Sequence, residues 1–404
     1  MTSECERAAG GTAARRPRAP WALKFLAGVG AWLIVGGIGA RSAQAYPQWQ
    51  FSTGVSRCDS CHFAPAGGGL LNGYGRDESG ETLSTFSGEG AFLYGAIKMP
   101  SWLAVGGDLR GAFVSQDVGD PSGTATAFFP MQADLEARAY LGLNFSMYVV
   151  GGLRGQVRQN SDLIPEQNYQ PITDSRFISR EHWLQWKYDG WYVRAGRFYA
   201  PFGLRLAEHV TYIRRDLGFD LLSESYNVSG GYISDQWELH LTAFAPDFLR
   251  HMGSVESGGV AYFERRFPNE KGSVAVQSRF ASGPGISRLI GGVVGKYYLE
   301  DLRTLFMVEA DVSHLMPEGT SATSNQFVGL AGVSVLPVRG LILTALAERN
   351  QEDLRVSNTS WDAVTGILGW FPAPHSELQL MGRFQRAEGE GEAKTVLLQI
   401  HYYL

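Results

Sequence analysis

Cys58-Asp59-Ser60-Cys61-His62 is the stretch of this sequence with the most definite chemistry. Two thiols three positions apart, followed at once by a histidine, make the C-x-x-C-H attachment pattern of a c-type haem. Each thiol can form a thioether with a haem vinyl group, and the adjacent histidine is then held beneath the iron as its proximal ligand. The run occurs once, so the chemistry it implies is electron transfer at one covalent haem c. Other uses of a cysteine pair fit less well. A structural zinc site needs four ligands, and no second Cys/His pair with zinc spacing completes one. A thioredoxin-like thiol pair needs a βαβ context that the flanking sequence lacks. Cys58, Cys61 and His62 are therefore the expected cofactor-binding residues. The second ring nitrogen of His62 should donate to a backbone carbonyl, with Ala64 or Pro65 as the source.

For the sixth iron position Met99 is the candidate, since it follows the cysteine segment and precedes Pro100; packing at the start of a strand is the alternative. His240 and His401 are rivals, each equally readable as a lumen or rim histidine. Gly67 to Gly69 and Gly73 match no phosphate loop, because no Walker lysine follows, and suit close approach of backbone to a cofactor. Arg176, Arg180, Lys187, Arg194, Arg197, Arg205, Arg214 and Arg215 form a basic run that could hold haem propionates or attract anions. Solvated barrel charge balanced by Glu181, Asp189, Glu208 and Asp216 explains it equally well. Asp117, Asp120, Glu166, Asp174, Glu352 and Asp353 offer hard oxygen ligands in loops, where plain solubility accounts for them too.

The elements that position these groups read as strands. Residues 1–45 look like a secretory leader: a basic start with Arg15, Arg16, Arg18 and Lys24, an apolar stretch, and an Ala43-Gln44-Ala45 cleavage site. Its loss removes Cys5 and four net positive charges, taking the formal charge from -5 to -9. That balance gives no support to nucleic-acid binding. Residues 46–100 form a short, glycine-rich segment with too few core residues to be more than marginal alone.

From Trp102 onward polarity alternates with period two. Met131, Ala133, Leu135, Ala137, Ala139 and Leu141 interleave with Gln132, Asp134, Glu136, Arg138 and Tyr140. The pattern recurs around Trp237 to Ala243, Phe306 to Val312 and Leu378 to Gln385. Such repeats fit a soluble sandwich or a transmembrane barrel. Connection lengths decide between them. Short links at 142–144, 189–190, 234–235, 268–271, 300–302, 337–340 and 372–375 alternate with longer polar ones at 116–127, 159–175, 201–224, 246–257, 316–325, 350–360 and 387–394. Alternation of this kind marks an outer-membrane barrel with tight periplasmic turns and larger outer loops. Residues 101–404 are thus expected to be an all-β barrel of about sixteen strands. A lumen of that width accommodates a folded insert, so the 46–100 segment should plug it or cap its periplasmic mouth.

The order of leader, single C-x-x-C-H, short linker and barrel resembles the fused outer-membrane monohaem cytochrome c-porin family, best known as ferrous iron oxidases. Phe51 to Arg76, with Asn72, Gly73, Tyr74, Gly75 and Arg76 after the cysteines, is similar to that family's haem segment. Ala195-Gly196-Arg197-Phe198 with Pro201-Phe202-Gly203 resembles a stretch found across phosphate-selective and related porins. The resemblance implies outer-membrane localisation and one haem c carrying electrons from extracellular Fe(II) to a periplasmic c-type cytochrome or other acceptor. A different class of function also fits: a diffusion porin, anion-preferring through its arginines, in which the haem segment is a redox gate or docking module. No distal acid/base constellation supports an enzyme acting on a small molecule.

Overall fold

The computed structural model describes residues 47–117, 119, 123–153, 177–220, 223–247, 255–388 and 391–404. The expected leader lies outside them, as do Asp120, Glu166, Asp174 and Arg176. Sixteen antiparallel strands close into a barrel in which every strand pairs with its sequence neighbours and the first pairs with the last. They are β1 Leu103–Asp117, β2 Ala125–Gly142, β3 Phe145–Leu153, β4 Phe177–Tyr188, β5 Trp191–Phe198, β6 Ser225–Ile233, β7 Trp237–Ala245 and β8 Ser257–Arg266. The second half is β9 Gly272–Gly283, β10 Ile286–Leu299, β11 Thr304–Pro317, β12 Ser324–Val335, β13 Leu341–Gln351, β14 Ser360–Trp370, β15 Ser376–Ala387 and β16 Gly391–Tyr403.

The wall is inside out relative to a soluble sandwich. Glu238, His240 and Thr242 of β7 are buried, as are Glu309 and Asp311 of β11, while Leu241, Phe306, Val308 and Val312 face outward and exposed. Leu135, flanked on β2 by buried Asp134 and Glu136, is 68% exposed. An apolar outer face this continuous is stable only against lipid. Among the described residues no helix is long and apolar enough to cross a membrane; the strands do the crossing.

Three connections depart from the sequence reading, one of them the expected 387–394 loop, which is short because β16 begins at Gly391 and pairs with β15 from there. The β9–β10 link, at the end where the others are mostly long, is a turn at Pro284 and Gly285. The β5–β6 connection is not an outer loop: its residues 202–217 fold into the lumen. Phe202, Leu204, Leu206, Tyr212, Ile213 and Leu217 are all buried there. Its backbone is held by the far wall: Gly203 N–H donates to Gln277 Oε1 of β9 (2.6 Å), Leu204 N–H to Glu309 Oε2 of β11 (2.7 Å) and Tyr212 N–H to Glu348 Oε2 of β13 (2.7 Å). Gly203 sits at φ +66°, and a Cβ there would collide with the Glu309 carboxylate, so glycine is required for the loop to enter.

Residues 47–99 cover the short-turn mouth. Arg57 pairs with Asp235 at 2.8 Å, and Asp59 accepts from Lys187 Nζ at 2.7 Å. Arg76 donates to Val105 O of β1 (2.6 Å), and Gln50 accepts from Lys296 of β10 (2.8 Å). Thr85 and Phe86 donate their N–H groups to Phe371 O and Pro372 O, both at 2.8 Å. These contacts reach the mouth from all sides, so the segment caps it and does not hang free.

Candidate functional site

The cysteine motif is built as a tight knot. Cys58–Ser60 form one 3-10 turn, and the chain then doubles back so that His62 bridges Leu71 across an antiparallel contact. The reversal is made by Gly67, Gly68 and Gly69, at φ +80°, +82° and +60°, conformations that favour glycine. It brings Gly69 O to 3.3 Å from His62 Nδ1. The carbonyl expected from Ala64 or Pro65 is therefore supplied by Gly69, because the three-glycine turn returns the chain over the ring. With Nδ1–H donated to that carbonyl, Nε2 keeps its lone pair for a ligand. Asn72 then caps the helix Gly73–Glu78 by accepting from Gly75 N–H (3.0 Å), while its Nδ2 donates to Ser60 O (2.9 Å). Motif and helix are locked by one side chain.

Cys58, Cys61 and His62 line a single cavity between this knot and the barrel wall. Its empty space is ≈ 1200 Å³, part of it open to solvent. The segment supplies Trp49, Val55, Leu70, Leu71 and Leu83; the wall supplies Asp108, Arg110, Glu136, Lys296, His401 and Tyr403. Leu204 and Arg205 of the inserted loop also line it, so the lumen loop and the capping segment meet there. Arg205 Nη1 donates to Ala66 O at 2.9 Å, fastening one to the other. Burial pushes the Cys58 thiol above its ordinary range and the Cys61 thiol up to about 12. Burial likewise lowers His62 to about 4, partly offset by the Gly69 carbonyl, so the ring is neutral at pH 7.

No protein-family model and no curated protein matches the chain. Among solved structures it is similar to a loop L8 deletion mutant of OmpT, an outer membrane protein of Vibrio cholerae. That pair has 12% identity and a TM-score of 0.57, over 75% of this chain and 99% of that one. OprB of Pseudomonas putida is similar at 11% identity and a TM-score of 0.58, over 75% and 94%. An anion-selective porin from Comamonas acidovorans follows at 10% and 0.55, over 75% and 99%. The fold is that of outer-membrane porins.

Against this porin fold the remaining candidates fall into place. Met99 is half-buried between the segment and β1 and does not line the cavity. His240 is buried in the wall and does not line the cavity, with Nδ1 2.6 Å from Tyr192 Oη and Nε2 3.3 Å from Glu238. His401 does line the cavity, and a carboxylate holds each of its ring nitrogens: Glu377 Oε2 at 2.8 Å from Nδ1 and Asp108 Oδ1 at 2.5 Å from Nε2.

Most of the basic run is committed to the wall. Arg180 pairs with Asp134 (3.1 Å) and Glu224 (3.7 Å), and Arg197 with Glu224 (3.6 Å) and Asp247 (3.3 Å). Arg194 stacks on Phe198, 3.7 Å from the ring centroid, and Arg214 donates to backbone carbonyls of the lumen loop. Of the four acids expected to balance the run, Asp216 pairs with Arg215 at 2.8 Å, Glu181 faces Arg194 and Glu208 faces Arg214 within charge range, while Asp134, Glu224, Asp247 and Asp59 take the other main places. Among the described residues of the run only Arg205 lines the cavity. Sequence reasoning passed over Lys296, Arg110, Asp108 and Glu377. Each is an inward position on a strand of alternating polarity, which marks the face but not the height at which it meets the cysteines.

Proposed function

We propose that this chain is an outer-membrane electron carrier of the cytochrome c-porin kind, with one haem c tethered at the barrel's periplasmic mouth. The observation that carries the reading is the shared cavity of Cys58, Cys61 and His62, enclosed by segment, wall and lumen loop. The donor set suits the group: two thiols uncommitted to a disulfide, a neutral imidazole with Nδ1 engaged and Nε2 free, an apolar lining, and buried cations. Cys58 and Cys61 would hold the porphyrin edge and His62 one axial position, while Arg205, Lys296 and Arg110 are placed to neutralise its carboxylates. When bound, the haem supplies a one-electron couple whose potential is set by ligation, burial and hydrogen bonding.

The chain's own residues shape the route. Short turns mark the periplasmic end, so the capped mouth faces a periplasmic acceptor, a c-type cytochrome under this reading. Lys296 stands ten residues along β10 from Ile286 at the long-loop end, roughly 25 Å of barrel height at the rise and tilt of such strands. An outer donor therefore has to enter the lumen and approach the outer face of residues 204–213. A small ion such as Fe(II) can do so and a folded protein cannot. The test is stopped-flow mixing of detergent-purified holo-protein with Fe(II), following haem reduction. One haem reduced per Fe(II) oxidised is expected, and His62→Ala should lose normal low-spin absorption while the barrel still inserts. Absence of reduction across a wide pH range removes Fe(II) as donor, and absence of covalent haem removes the reading itself.

A further inference from the structure

Asp108, His401 and Glu377 form a buried trio on the cavity wall, drawn from β1, β16 and β15. Glu377 is the cross-strand partner of His401 on one side and Arg110 on the other, and Asp108 lies diagonally across. A neutral imidazole has one N–H and one lone pair, while carboxylates only accept. Contacts of 2.8 Å and 2.5 Å at the two ring nitrogens are both hydrogen bonds only when the trio holds two protons. Those protons make either an imidazolium between two carboxylates or an imidazole with one carboxyl. Net charge is then -1, and a third proton brings it to zero.

No other role claims the trio. It makes no contact with lipid, and both its histidine nitrogens are too engaged for ligation without breaking a short bond. What it does share is the cavity of Cys58, Cys61 and His62, which Asp108 and His401 both line. A negative charge added in that cavity acts on a proton-binding group across a low-dielectric gap, where charge–charge terms are strong.

Resting on the haem reading above, we infer that Asp108–His401–Glu377 is a proton-exchanging site coupled to electron occupancy of the cavity. For each electron delivered by an external one-electron donor and held at the iron, the trio takes one proton from periplasmic water. It returns that proton when the electron passes on. Charge in the cavity is thereby unchanged over the cycle.

Other groups face the trio and bound the argument. Arg110 on β1 lies 3.5 Å from Asp108. Glu136 on β2 lines the same cavity, accepts from Tyr148 Oη at 2.8 Å and is itself hydrogen-bonded to Asp108. Tyr403 on β16 stands with its ring 5.2 Å from that of His401, and His375 in the β14–β15 turn packs on Tyr403 at 5.9 Å. From the segment come Glu78 and Arg57, and from the wall and loop Lys296 and Arg205. The trio is set apart from these by contacts at both ends of one ring, and Glu136, bonded to Asp108, is the further carboxyl that must hold a shared proton.

The experiment is spectroelectrochemical titration of holo-protein in detergent from about pH 5 to about pH 9. The potential should fall with rising pH, over part of that range by about 59 mV per unit, a tenfold change in proton activity for one electron. His401→Gln, which keeps a hydrogen-bonding side chain and cannot titrate, should flatten that slope. Glu377→Gln should shift the sloping region or flatten it, and serves where His401→Gln fails to insert. A pH-independent wild-type potential, or a slope unchanged in both variants, overturns the inference and leaves the haem reading standing. Protein whose haem absorption does not survive denaturation fails the haem reading instead, before any potential is measured.

Discussion

At the scale of residues, the most informative contrast is between what the cysteines are in the seated segment and what they must be to react. A thiolate is the nucleophile in thioether and alkylation chemistry, and burial here holds Cys61 to about 12 and Cys58 above its ordinary range. At pH 8 an ordinary cysteine is about one quarter thiolate, and a group at about 12 roughly one part in ten thousand. On the haem reading, attachment therefore belongs to the chain before the segment seats, when both thiols are solvated. Protein made without haem attachment and folded into detergent should label slowly with a maleimide at pH 8. The rate for Cys61 should climb about tenfold per pH unit toward its raised pKa. Labelling as fast as that of a free peptide thiol would show that the knot of residues 57–72 is not seated. His62 follows the same logic with opposite charge: burial keeps it neutral, the form a metal needs.

At the scale of elements, the strap of residues 85–94 is the piece with a built-in sensitivity. His375, in the β14–β15 turn and 1% exposed, sits 3.1 Å from Ala91 O through Nε2 and edge-on to Tyr94 at 4.9 Å. Burial lowers its pKa to about 4, against 6.5 for a free histidine, with the Ala91 carbonyl offsetting part of the shift. Between those values the released form binds a proton that the docked form refuses, so docking is unaffected above about pH 6.5 and weakens as pH falls. By pH 5 the loss is about 2 kcal/mol, before the carboxylates titrate. Hydrogen exchange in residues 85–95 should therefore quicken between pH 7 and pH 5, and His375→Asn should remove the pH dependence; exchange equal at both pH values in wild type would count against it. Little of this strap was legible in the sequence, because nothing about a proline-flanked turn histidine says what will cover it. The strands were legible for a physical reason. Lipid on one face and a polar lumen on the other enforce strict alternation, as in β7 and β11. The β9–β10 turn escaped because Pro284 and Gly285 make an outer-end link as short as a periplasmic one. Residues 202–217 escaped because a loop filling a polar lumen keeps polar groups for the wall and apolar ones for itself, and so reads like a solvated loop. The cysteine–histidine motif was legible but the Gly69 carbonyl was not, since only the fold of the three-glycine turn assigns that carbonyl to His62.

At the scale of the whole molecule, two obstacles stand in series within one barrel. Residues 199–220 leave the wall after β5 and bond to β9, β11, β13 and, through Gln385 Nε2 on Tyr212 Oη at 3.1 Å, β15. In a closed ring of sixteen strands that path crosses the lumen from one side to the other. Residues 47–99 span the mouth below it, tied to β1, β4, β8 and β10 and to three short turns. The two are joined by Arg205 and Ala66, so neither is a free gate. A diffusion porin needs a continuous aqueous path, whereas an electron carrier needs only a donor vestibule on one side of a barrier and an acceptor surface on the other. Holo-protein in planar bilayers should therefore give little steady ion current. Deleting residues 206–219 alone should leave it low, because the cap remains, and deleting residues 47–99 alone should raise it only to what the lumen loop permits. Removing both should give a current several-fold above either single deletion, the non-additivity expected of resistances in series. A large current through intact holo-protein would return the molecule to the diffusion class, with the cysteine segment as an accessory to transport.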